Sequence, residues 1–165
     1  MPATYEPIAT STLGTAAASI TFSSIPGTYT DLRVIVVTPT GTGDFIELRF
    51  NGNSGTNYSW TIVGADNTTV FSQRGTNVTQ VRIGTSMGST TYPTYAIADI
   101  FSYAGSTNKS VLSQSGNDKN GTGEVRNYVG LWRGTSAITS VLIKGDSGLN
   151  LAAGTVATIY GIKAA

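Results

Sequence analysis

Apolar residues along this chain recur at every second position and almost nowhere at helical spacing, which confines the fold to one built from strands. Ala17–Phe22 alternates and stops at Ile25-Pro26-Gly27-Thr28, a turn signal. Leu32–Thr38 (LRVIVVT) is a β-branched run closed by Pro39 and Gly41, too short and too rich in Val and Ile for a helix, and reads as a buried strand. In Phe45–Phe50, alternation puts Phe45, Glu47 and Arg49 on one face and Ile46, Leu48 and Phe50 on the other, before the Asn51-Gly52 turn. The stretches Tyr58–Val63, Thr69–Gln73, Val78–Ile83, Tyr95–Ser102, Lys109–Ser115, Glu124–Arg133, Ile138–Lys144 and Thr155–Ile162 follow the same rule. Loops such as NGNSGTN, NDKNGTG and GDSGLNLAAG separate them. Eleven such segments in 165 residues predict an all-β, single-domain β-sandwich, jelly-roll-like, with little or no helix. Residues 1–13, with Pro2 and Pro7, read as an extended N-terminal arm, and residues 14–165 as the sandwich. The Leu32–Val37, Ile46–Phe50 and Thr155–Ile162 segments are expected to supply the core.

Composition narrows the chemistry. The chain has no cysteine and no histidine, so zinc, haem and iron–sulfur sites built on those ligands are excluded, together with Ser-His-Asp and Cys-His catalysis and any disulfide. No cofactor is expected. Charged residues make up 12% and the net charge is +1, which does not suit a nucleic-acid partner. No apolar run reaches the ~18 residues of a membrane-spanning helix, so no membrane partner is expected. MPATYEPIATSTLG lacks a basic segment followed by an apolar one, so no signal peptide is expected either. In their place stand 26 Thr, 17 Ser, 10 Asn and 20 Gly. Threonine favours strands and keeps an outer face wet without charge. Copies of such a surface repel each other weakly, which suits a protein held in place by neighbours.

Several motifs invite a chemical reading. Gly145-Asp146-Ser147-Gly148 spells the core of a serine-protease nucleophile motif, but no imidazole exists to take the serine proton, and a turn between strands accounts for it. Asp118, Asn120 and Thr122 fall at positions one, three and five of a calcium-loop pattern, with Gly123 at six and Val125 at eight. Position twelve is Val129 instead of glutamate and the flanks read as strands, so a polar hairpin loop is the expectation, with Asp118, Asn120 and Thr122 as ligands of a calcium ion if one binds. Glu47 is expected to pair with Arg49 on the surface, and Asp99 to find Arg33 or Arg82. Paired carboxylates for glycoside cleavage are not evident, and no enzyme activity is expected. Trp60, Trp132, Tyr92, Tyr95 and Tyr103 are the aromatic candidates for a sugar platform. Trp132, in the apolar run NYVGLWRG, is expected in the core, which leaves Tyr92, in a Gly/Ser/Thr loop, as the candidate surface contact to a host glycan.

Thr28–Val37 (TYTDLRVIVV) and Leu48–Ser59 (LRFNGNSGTNYS), with the opening TYEPIATSTLGTAAASITFSSIPGTYTDL and the closing ITSVLIKGDSGLNLAAGTVATIYGIK, resemble small β-rich virion structural proteins of tailed bacteriophages. The resemblance covers the two ends and leaves the stretch from about Val63 to Val125 without a counterpart. It implies a virion component, made in the host cytoplasm. Its role would be a capsid decoration (cement) protein, a homotrimer bound to the major capsid protein or other virion proteins and reaching a neighbour with its N-terminal arm. The alternative it leaves open is a tail- or fibre-associated adhesin, or a carbohydrate-binding module, that contacts the host surface. The motifs that carry the likeness are structural and name no site.

Overall fold

In a computed structural model, which describes residues 4–39, 45–85 and 91–163, the chain is all β. The strands are β1 (Tyr5–Thr12), β2 (Ser19–Phe22), β3 (Asp31–Thr38), β4 (Ile46–Phe50), β5 (Tyr58–Asp66), β6 (Thr69–Val78), β7 (Val81–Arg82), β8 (Thr94–Phe101), β9 (Lys109–Asn117), β10 (Glu124–Trp132), β11 (Val141–Gly145) and β12 (Val156–Ile162). They form two antiparallel sheets, one of eight strands in the order β1-β12-β3-β8-β9-β10-β5-β6 and one of four in the order β2-β11-β4-β7. The chain passes repeatedly from one sheet to the other, and the inward residues of both meet in a single core.

The period-two pattern is what sorts the two faces. In β3, Leu32, Val34 and Val36 are buried while Arg33, Ile35 and Val37 face the other way. Ile46, Leu48, Phe50, Ala157 and Ile159 join them in the core, as the sequence pattern requires. Trp132 is also inside, its ring 5.5 Å from that of Phe50 and stacked on Tyr58 at 6.2 Å. The Tyr58 hydroxyl accepts from the Phe50 amide and donates to the Asn53 carbonyl, which ties β5 to the β4 turn. Lys109, at the start of β9, is fully buried. Its ammonium donates to the carbonyls of Gly105, Thr107 and Thr135, and burial lowers its pKa.

Residues 5–12 of the expected arm are β1, the edge strand of the large sheet, paired along its length with the chain's own β12. Glu6 bonds Lys163 at 2.7 Å and Thr10 meets Thr158 across the pair. Asp146-Ser147-Gly148 forms a short 3₁₀ turn after β11, with Ser147 exposed and Asp146 paired to Arg82 at 2.7 Å, in accord with the structural reading of that motif.

Glu47 departs from expectation. It does not pair with Arg49, which instead donates to the Thr79 carbonyl and to Gln80. Glu47 is buried between Lys144 of β11 at 3.3 Å and Arg82 of β7 at 3.6 Å. The reason is the small sheet itself: β4 lies between β11 and β7, and cross-strand neighbours outcompete a residue two places along the same strand. Burial, then the Asp146 carboxylate, push the Glu47 pKa above its ordinary 4.5, while Lys144 and Arg82 pull it back. A raised carboxyl pKa means the folded protein keeps a proton that the unfolded chain has already lost, so this contribution is complete below pH 4.5 and fades as pH rises through the folded value. Glu47→Gln is therefore expected to gain stability relative to wild type as pH rises above 4.5, read from urea midpoints of both proteins. A difference independent of pH would contradict the raised value.

Candidate functional site

The two sheets are unequal, and the larger one overhangs the smaller at its β5–β6 end. No residue of β6 is buried. What fills the space beneath this hairpin is a ladder of alternating rings and guanidinium groups. The Arg82 guanidinium lies 4.6 Å from the Trp60 ring and 3.9 Å from the Phe45 ring. The Arg126 guanidinium follows, 5.0 Å from Phe45 and 4.8 Å from Phe71. Cation–ring contacts of this kind are each worth ~0.5–2 kcal/mol, more when desolvated.

Acidic side chains neutralise the ladder. Arg82 pairs with Glu47 and Asp146. Arg126 donates from Nε at 2.9 Å and from Nη2 at 2.5 Å to one oxygen of Glu124, whose other oxygen accepts from Asn117 at 3.3 Å. Two glycines make room for the rings. A Cβ at Gly75 would lie 2.6 Å from the Trp60 indole, and one at Gly64 would lie 2.9 Å from the Arg126 side chain and 3.1 Å from the Phe71 ring.

The ladder ends in an open cleft of about 510 Å³ lined by Phe45, Asp66, Asn67, Thr69, Phe71, Gln73 and Arg126. Cross-strand register explains the grouping: Asp66 faces Thr69, Gly64 faces Phe71 and Ile62 faces Gln73, so these residues share the inner face of the hairpin. Arg126 is opposite Gly64 on β10 and joins the same face. Asn67, with a φ of 55°, turns the hairpin, and its amide donates to the Gly123 carbonyl at 3.0 Å, which ties the tip to the neighbouring β9–β10 loop. Asp66 enters no ion pair among the described residues, so its carboxylate is an acceptor on the cleft wall. The chemistry on offer is the Phe71 ring that ends the ladder, beside a carboxylate, two amides and a hydroxyl.

The residues singled out from the sequence lie elsewhere. Tyr92 is 37% exposed and sits just before β8, outside the cleft. Asp118 lines a smaller depression of about 270 Å³ beside the cleft, with Asn67 common to both. Its carboxylate accepts from the Gly121 amide at 2.7 Å, while Thr122 donates to the Lys119 carbonyl and Asn120 takes a φ of 59°. Among the described residues no three His, Cys, Asp or Glu side chains come together as a metal cluster. Asp99 pairs with Arg33 through two hydrogen bonds of 2.6 and 2.7 Å. Tyr103 is buried with its hydroxyl on the Pro26 carbonyl, and Trp60 belongs to the ladder. Phe71 escaped notice, although a signal was present: in Thr69–Gln73 it is the single aromatic on a face otherwise made of Thr69 and Gln73.

The outer face of the large sheet is the other notable surface. Three rows cross it in register: Arg33, Asp99, Leu112, Val129 and Thr61; Ile35, Ile97, Gln114, Asn127 and Val63; Val37, Tyr95, Gly116, Val125 and Ala65. No strand or loop among the described residues covers it. A shallow depression of about 360 Å³ lies between Arg33, Asp99, Gln114 and Asn127.

No family model matches the chain, and no curated protein does. Among solved structures, galectin LEC-6 of Caenorhabditis elegans is similar over 91% of this chain and 94% of its own, at 9% identity and a TM-score of 0.40. Sucrose-6-phosphate hydrolase of Lactobacillus gasseri is similar over 90% of this chain and 28% of its own, at 11% identity and a TM-score of 0.30. Tail fiber protein gp63.1 of an Escherichia coli phage is similar over 83% of this chain and 15% of its own, at 16% identity and a TM-score of 0.29. At such scores none of the three assigns the chain to a family or lends it an activity.

Proposed function

We propose that this chain is a non-enzymatic recognition module of adhesin type that binds a glycan in the cleft beneath the β5–β6 hairpin. Placement in the tail-associated part of a virion, the alternative that the sequence resemblance leaves open, is part of the same proposal. The observation that carries the reading is the presence of Phe71, the ring that ends the ladder, beside Asp66, Asn67 and Gln73 in one cleft. Sugars have apolar C–H faces that pack on rings and hydroxyl groups that need planar donors and acceptors, and this wall offers both. The volume lies within the ~300–1,000 Å³ of small-ligand pockets. Cleavage of a glycosidic bond needs two working carboxylates. Asp66 is the one carboxylate on the described wall, and adjacent Glu124 is committed to Arg126 and Asn117.

The test is a glycan array followed by calorimetry with the best-bound sugar on wild type, Phe71→Ala and Tyr92→Ala. Phe71→Ala is expected to weaken binding at least about tenfold, or ~1.4 kcal/mol, with its circular dichroism unchanged. Equal weakening by Tyr92→Ala alone would move the site to the loop before β8. Capsid decoration, the other role the resemblance implies, would use the outer face of the large sheet. Binding to particles that survives Phe71→Ala, with no glycan bound by wild type, would favour it.

A further inference from the structure

Of the eleven large apolar side chains exposed among the described residues, nine belong to the outer face of the eight-stranded sheet. The exceptions are Tyr92 and Leu149. Scattered exposed valines are ordinary, but apolar side chains gathered on one face, here around the Arg33–Asp99 pair, Gln114 and Asn127, mark a contact surface. We infer that this face packs against the same face of a second copy of the chain, in a two-fold dimer.

Size, charge and shape each support a second copy. The rows from β3 to β5 span five strands about 4.8 Å apart, and their outward residues run over ~20 Å, so with side chains each copy presents roughly 500–600 Å². Two such faces bury about 1,000–1,200 Å², just above the floor for a biological interface and in the range of weak, reversible association. The charges within the rows, Arg33 and Asp99, neutralise each other by a bidentate pair, so two copies meet without net repulsion. A two-fold contact requires one surface to carry both a projection and the hollow that takes it. Val129, 59% exposed, and Val63, 53% exposed, stand next to the depression bounded by Arg33, Gln114 and Asn127. Gln114 and Asn127 bring donors and acceptors that can pair reciprocally across the axis.

The dimer replaces the threefold arrangement expected from the resemblance and is independent of the glycan reading, since the cleft opens on the inner face of the sheet. Pairing through the outer faces leaves both clefts free and makes a weak site bivalent, which raises effective affinity without new contacts.

Light scattering and sedimentation of the full chain, up to about 0.1 mM, test the inference. Wild type is expected as a dimer. Val129→Asp, near the centre of the face, is expected to weaken association at least about thirtyfold, as truncating an interface hot spot does. Leu149→Asp, a control away from the face, is expected to leave the dimer intact. Retention of the wild-type melting curve by Val129→Asp separates lost contact from lost fold. A wild-type monomer overturns the inference and assigns the face to a different protein. A trimer, or a dimer untouched by both Val129→Asp and Leu112→Asp, overturns it as well.

Discussion

Lys109→Met is expected to cost about 3 kcal/mol and to lower the melting temperature by about 6–12 °C. The side chain is fully buried where β9 begins, and its ammonium holds the carbonyls of Gly105, Thr107 and Thr135. Methionine keeps the length and the apolar stem but donates nothing. Three carbonyl oxygens then lose a charged donor in a site with little water, and hydrogen bonds to charged groups contribute ~1.5–3 kcal/mol each. The loss is partly offset because a buried cation is itself costly, as its lowered pKa records. Thermal unfolding followed by circular dichroism measures the effect, and an unchanged midpoint would mean that the segment from Gly105 to Thr107 finds water instead.

Arg126→Met is expected to be the more severe change, at about 3–5 kcal/mol, because it leaves Glu124 buried without its cation. Glu124 is 6% exposed and would retain Asn117 as its hydrogen-bonding partner among those described. Arg126→Met with Glu124→Gln removes both charges, and most of the lost stability should return, since replacing a buried pair by neutral groups of similar volume is often close to neutral. The non-additivity of the double-mutant cycle gives the coupling directly. The double variant still lacks the guanidinium between Phe45 and Phe71, so it is expected to fold yet bind sugar poorly. A fully additive cycle would refute the account of the pair.

Most of the fold was legible because a strand buried on one face must alternate. Leu32, Val34 and Val36 announce their side of β3 with no knowledge of any partner. The position of Trp132 was legible from the apolar residues around it, and Asp99 from the few arginines able to answer it. Pairing across strands was not. Glu47 lies nearer in sequence to Arg49 than to Arg82 or Lys144, and only the order of the small sheet makes the distant partners its neighbours. The cleft was illegible for the same reason. Phe45, Phe71 and Arg126 come from three separate segments, and what unites them is the width of one sheet exceeding that of the other. Residues 5–12 read as extended, but alternation says nothing of which edge an extended segment joins.

The overhanging hairpin has a consequence for how such a protein can diversify. Val70, Ser72, Arg74 and Thr76 lie on the outer side of β6, so exchanges there leave the packing between the sheets untouched, whereas Gly75 must stay small against the Trp60 ring and Val78 packs on the core. Related chains can therefore rewrite the outer side of one ribbon with the scaffold held constant, while its inner side stays bound to the arginine rungs through Phe71 and Gly75.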